Sequence, residues 1–194
     1  PLSPAISQES TKLIEIYGEY IVRCLYSKTW ALREAALQKI TLDLPRVARE
    51  NGNRNCFSAI AQILNNAGRD KVSQVFLGAL NLLQTALVTC KDLMRGEVTS
   101  MLGAFTIAIV EKVGDSNGRV RQEAQSTLMK MAQATCLGPP YVSANILRKP
   151  KKQHMTSWRP VLGRLSVLRN VVMSYGLGPT SGLSLDACME HAKI

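Results

Sequence analysis

Leu32-Arg33-Glu34-Ala35-Ala36 has a near copy in Val120-Arg121-Gln122-Glu123-Ala124, with Val75-Phe76-Leu77-Gly78-Ala79 between them. In each an apolar residue is followed four positions later by alanine, one helical turn on and therefore on the same helix face. The three copies are separated by 43 and 45 residues, and the first and third carry arginine directly after the apolar residue. A spacing kept this closely over three copies is the mark of a structural repeat rather than of a single irregular bundle.

Working outward from these copies, each sits near the start of the second of two apolar runs with helical spacing. Leu13, Tyr17, Tyr20, Ile21 and Cys24 outline one amphipathic helix, with Ser7 as its N-cap. A helix from Ala31 towards Leu44 follows, which Pro45 should end or kink. Cys56, Ile60, Ile63 and Leu64 precede a turn at 65–70 and a helix over 72–87. A helix over 98–113, a turn at 114–118 and a helix over 119–134 repeat the scheme. Pro139-Pro140 opens a fourth pair, with helices predicted over 141–147 and from Pro160 to about 175. Gly176-Leu177-Gly178-Pro179 then reads as a helix-breaking linker, and Ser184 as the cap of a last helix. The expected fold is all-α, an α-solenoid of HEAT-type antiparallel helix pairs, in which alanine permits close helix approach. The pairs fall roughly at 7–49, 53–90, 97–137 and 140–175, with a terminal helix at 184–194, all in one domain over 1–194. The start at Pro1 suggests a piece of a longer chain.

The chain of 194 residues carries 24 Lys+Arg against 14 Asp+Glu, a net charge of +10, with 46% hydrophobic and 5% aromatic residues. That composition excludes a disordered tail and the fibrous classes. The most apolar stretch, 101–110, is half of the roughly twenty residues that a membrane span needs, so no membrane partner is expected. Cys24, Cys56, Cys90, Cys136 and Cys188 form no close pair and read as reduced, mostly buried thiols. No acidic residue lies between Glu123 and Asp186, whereas Lys130, Arg148, Lys149, Lys151, Lys152, Arg159, Arg164 and Arg169 do. Eight of the ten net charges thus occupy one third of the chain, which points to an acidic partner.

In a solenoid the turns inside the pairs emerge along one edge, and these turns are basic. The first holds Lys28 and Trp30, the second Arg69 and Lys71, the third Asn117 and Arg119, and the fourth Lys149, Lys151 and Lys152. Cations steer an acidic partner and an exposed indole supplies a desolvated anchor, so the edge has the form of a binding surface. Trp30 can also be read as a hydrophobic staple at a helix start. Arg33 and Arg121, a step inside their helices, fit contacts to neighbouring turns better than contacts to a partner. Trp158 reads either as a second anchor or as a core residue of the fourth pair, with the core preferred.

At these residues the sequence resembles TOG domains, the tubulin-binding HEAT arrays of microtubule regulators. The resemblance lies in the run 26–37, Tyr26-Ser27-Lys28-Thr29-Trp30-Ala31-Leu32-Arg33-Glu34-Ala35-Ala36-Leu37, and in Asp70-Lys71-Val72. Gly114-Asp115-Ser116 with Arg119 and Arg121, and the proline-rich fourth repeat, extend it over nearly the whole chain. It implies that Trp30 packs on the α/β-tubulin heterodimer, that the later basic turns complete the face, and that the domain is monomeric. It also implies a cytoplasmic, cytoskeletal setting at the centrosome, centriole and cilium tip. TOG domains usually continue through further helices, which leaves a fifth-turn contribution open. Two other partners fit the charge alone: nucleic acid bound through Lys149, Lys151, Lys152 and Arg159, and an acidic peptide on a scaffold helix. Enzyme chemistry is not supplied. The Gly176 to Gly182 glycines lack a phosphate-binding lysine and a preceding strand, His154 sits in a basic turn, and neither a catalytic constellation, a cofactor motif nor a metal-ligand spacing is present.

Overall fold

The computed structural model describes residues 8–148 and 158–192. They form helices joined by short turns, in two compact units, Pro1–Leu93 and Met94–Ile194. The expected cap Ser7 lies outside the described residues.

The first unit holds α1 (Thr11–Tyr17), α2 (Glu19–Leu25), α3 (Trp30–Asn51), α4 (Asn53–Ala67) and α5 (Ser73–Thr89). The single helix expected around Leu13 and Cys24 is two, because Gly18 between them takes φ +82°, a conformation that side-chain-bearing residues rarely adopt. Pro45 neither ends nor breaks α3, which runs on to Asn51. Its ring lies on the exposed face, where water can serve the carbonyl that has lost its amide partner. Buried Leu37, Ile40 and Leu44 of α3 meet Phe57, Ile60 and Leu64 of α4 and Phe76, Leu80 and Leu83 of α5 in one core. Helices α3 and α5, the second members of consecutive pairs, pack closely: a Cβ at Gly78 would stand 3.3 Å from Cδ1 of Leu37. Ala36 and Ala79 are both buried, as close helix approach requires.

The second unit holds α6 (Arg95–Lys112), α7 (Gly118–Gln133), α8 (Pro139–Ile146), α9 (Trp158–Tyr175) and α10 (Leu185–Ala192). Phe105 and Ile109 of α6, Val120, Leu128 and Met131 of α7, Val142 and Ile146 of α8 and Val167 and Val171 of α9 form its core. Pro139 opens α8, where its missing N–H costs nothing. The start of α9 lies directly on the turn before α7. A Cβ at Gly163 would fall 2.1 Å from the Val113 carbonyl oxygen, and one at Gly114 would fall 2.4 Å from Cα of Pro160. The 178–183 segment is a closed loop rather than an open linker, since the Gly178 N–H donates to the Leu183 carbonyl at 2.7 Å. Ser184 Oγ accepts from the Ala187 N–H at 3.1 Å, capping α10.

Arg164 departs from the charge reading. It is buried, and its Nη1 donates to the carbonyls of Ile146 at 2.7 Å and Arg148 at 2.6 Å. Burial pulls its pKa down, partly offset by the Glu111 charge. It closes the C-terminal end of α8 and is not part of a partner-facing charge. Cys56, Cys90 and Cys136 are buried thiols outside any disulfide, while Cys24 and Cys188 are half-buried.

Candidate protein-binding turns

The three inner turns that the described residues include are built on one device. Ser27 Oγ accepts from the Thr29 N–H at 3.1 Å, Asp70 Oδ1 from the Val72 N–H at 2.9 Å, and Asp115 Oδ1 from the Asn117 N–H at 2.8 Å. In every case the donor is the residue that caps the next helix, α3, α5 or α7. Ser27, Asp70 and Asp115 are themselves spaced by 43 and 45 residues, the period of the alanine register. A side-chain oxygen bonded two residues ahead fixes a turn much as a backbone bond would.

In the first unit the first two turns are tied together. Arg33, in α3, donates from Nε to Asp70 Oδ2 at 2.7 Å and from Nη2 to Asp70 Oδ1 at 3.0 Å. Its Nη1 reaches back to the carbonyls of Ser27 at 2.8 Å and Lys28 at 3.2 Å. One guanidinium therefore holds both turns. Burial by itself would raise the Asp70 carboxyl, but the Arg33 hydrogen bonds and charge and the Val72 N–H outweigh it and hold the group below its ordinary value.

Around this fixed point Lys28, Trp30, Arg69 and Lys71 are exposed, and among the described residues no carboxylate pairs with any of the three cations. Trp30 is 44% exposed and Leu32 is 43% exposed, so α3 begins with two large apolar side chains in solvent. Trp30 is the first residue of α3, whereas a staple would come from the residue before the cap. Leu32 also differs from its repeat mates Val75 and Val120, which are buried.

The second unit carries the third turn. Arg121 Nη1 donates to the Asp115 carbonyl at 2.6 Å, six residues back, as Arg33 does to Ser27. Lys112 Nζ, not an arginine, grips the Asp115 carboxylate, at 2.7 Å. Burial would raise Asp115 too, and Lys112 with the Asn117 N–H brings it below its ordinary value. Asn117 is exposed, but its Oδ1 is committed to capping α7, accepting from the N–H groups of Arg119 at 3.0 Å and Val120 at 3.4 Å. Arg119 is exposed. Lys149, Lys151, Lys152 and His154 lie outside the described residues.

Trp158 is not a core residue. It is 66% exposed at the start of α9, with the Arg159 guanidinium 5.4 Å from its ring centre. Of the two sequence readings, anchor or core, the preferred one was the core, and the exposure overturns it. At this end of α9 it is Pro160 and Gly163 that make the close contact with the 113–114 turn. Among the described residues no cluster of three metal-ligating side chains occurs.

The profile of the family described as "Centrosomal protein CEP104, TOG domain" matches residues 7–194. Human centrosomal protein of 104 kDa is 25% identical over 198 residues, covering 99% of this chain and 21% of that protein. Human mitogen-activated protein kinase kinase kinase 1 is 22% identical over 221 residues, covering 90% of this chain and 15% of that protein. The chain thus spans about a fifth or less of the length of these curated relatives. A solved structure described as "CEP104 TOG domain" aligns with a TM-score of 0.82 at 25% identity, over 100% of this chain and 77% of the other. The "TOG domain of human Cep104" aligns at 0.79 and 23% identity, over 98% and 75% of the two chains.

Proposed function

The chain belongs to the CEP104 TOG-domain family, and on that premise we propose that it is a tubulin-binding module that captures the α/β-tubulin heterodimer through its inner turns. The capture is non-covalent and needs no cofactor. The observation that carries it is the exposed Trp30, with Lys28, Arg69 and Lys71 around it, on turns that Arg33 and Asp70 hold fixed. A protein partner rewards this arrangement: the indole and Leu32 lose water, the cations meet an acidic surface, and little conformational freedom remains to be lost on binding. Arg119 and the 149–152 lysines of the second unit add positive charge to the same partner. Through its family the domain belongs in a centrosomal or microtubule setting, with the cilium tip as one place of action.

The charge-only rival, nucleic acid bound through the acid-free 124–185 segment, is separated by what it does not need. A polyanion tracks cations and has no need of the Trp30 indole. Gel filtration with purified tubulin tests the reading: the wild-type domain co-elutes with tubulin, and Trp30→Ala does not at the same concentration. Quantitative transfer of wild-type and Trp30→Ala protein alike from tubulin to excess duplex DNA, at near-physiological salt, would replace the tubulin reading.

A further inference from the structure

In the second unit a cleft of about 500 Å³ opens between the 113–117 turn and the start of α9. Ser116 and Arg121 line one side, and Trp158, Arg159, Leu162 and Ser166 the other. The two walls are fixed relative to each other, because the Gly114 and Gly163 backbones leave no room for even a methyl group between turn and helix. Trp158 and Leu162, 66% and 52% exposed, are large apolar side chains held open in a concave place, which is costly unless something covers them. Two guanidinium groups flank them, and no carboxylate lines the cleft among the described residues.

We propose that this cleft docks an extended, glutamate-rich peptide segment of a protein partner. An apolar floor between two arginines suits a chain in which an aliphatic or aromatic side chain alternates with carboxylates. Arg159, with the Arg121 nitrogens that do not hold the Asp115 carbonyl, meets the acids, and the indole edge and Leu162 take the apolar group. Nucleic acid fits less well: it presents a charge at every nucleotide where the cleft has two cations, and Arg159 already covers one face of the indole on which a base would stack. The cleft adjoins the third inner turn, which the tubulin reading also uses, but its test uses a peptide and no tubulin, so either can fail without the other.

The test follows Trp158 fluorescence in a Trp30→Phe background, where it is the sole indole, while an acetylated peptide of about ten residues, glutamates around one central leucine, is titrated in. A saturable change in emission is expected, with affinity falling about tenfold in Arg159→Glu. That variant should fold, since a carboxylate at the first turn of α9 is favoured by the helix dipole. Arg169→Glu makes the same charge change on an exposed part of α9 outside the cleft and should leave affinity nearly unchanged. Three results overturn the proposal: no saturable change, an equal loss in both variants, or displacement of the peptide by an oligothymidylate of equal charge that binds more tightly.

Discussion

Arg33 and Asp70, 37 residues apart in sequence, meet as a two-bond fork at 2.7 and 3.0 Å in the first unit, and the same arginine holds the Ser27 carbonyl at 2.8 Å. The pair is largely shielded, its side chains 18% and 13% exposed, so water competes weakly for these bonds. The pair is thus the brace behind the basic turns, the kind of contact to a neighbouring turn that the sequence favoured for Arg33. The partner-facing side chains are those that flank the brace.

The first prediction concerns acid. The folded Asp70 carboxyl lies below its unfolded value of about 4, so its contribution to stability is fully present above that pH and is lost as pH falls through the folded value. Thermal melts of wild type from pH 6 to pH 2 should therefore show a loss of Tm below about pH 4 that Asp70→Asn partly lacks. At neutral pH Asp70→Asn should itself cost on the order of 1.5–3 kcal/mol, the range for hydrogen bonds to charged groups. Parallel melting curves for the two proteins over the whole pH range would remove Asp70 from the account.

Trp30→Ala should weaken tubulin binding by about 2 kcal/mol or more, as truncation of an aromatic anchor does. With the side chain 44% exposed in the free domain, Tm should hardly move. Calorimetric titration and a thermal melt of the same sample check both halves. A large Tm loss with intact binding would make Trp30 a residue that stabilises the fold and not an anchor.

Lys71→Glu and Arg119→Glu reverse exposed charges on turns of different units, and no carboxylate pairs with either among the described residues. Each should reduce tubulin affinity several-fold, more at low salt than at high, while the helical circular-dichroism signal stays the same. If one turn alone responds, the partner does not use the turns of both units.

Gly114→Ala and Gly163→Ala should each destabilise the second unit by several kcal/mol, because the new methyl would have to displace backbone rather than a flexible side chain. Gly103→Ala is the control: it lies in α6, with nothing within 4 Å of the added carbon. That change should be neutral or stabilising by up to about 1 kcal/mol through helix propensity alone. Denaturant melts rank the three, and an order with Gly103→Ala worst would contradict the packing.

Sequence patterns determined the helices and their period. Spacings of three and four residues read directly as buried faces, and Ala36, Ala79 and Ala124 recur where helices approach. The Ser27, Asp70 and Asp115 turn oxygens stood in the same register and were legible in it, five residues before each apolar repeat position. These features are local: each depends on residues within two turns of itself. What the tertiary structure alone decided is which polar and aromatic groups are spent inside the fold. Arg164 is buried because another helix brings it the carbonyls of Ile146 and Arg148, whereas Trp158 stays exposed while Pro160 and Gly163 make the close contact with the 113–114 turn. Arg33 finds Asp70 only because α3 and α5 pack side by side. Burial and pairing depend on what distant chain segments place beside a residue, and a periodicity read along one helix carries no record of that neighbour.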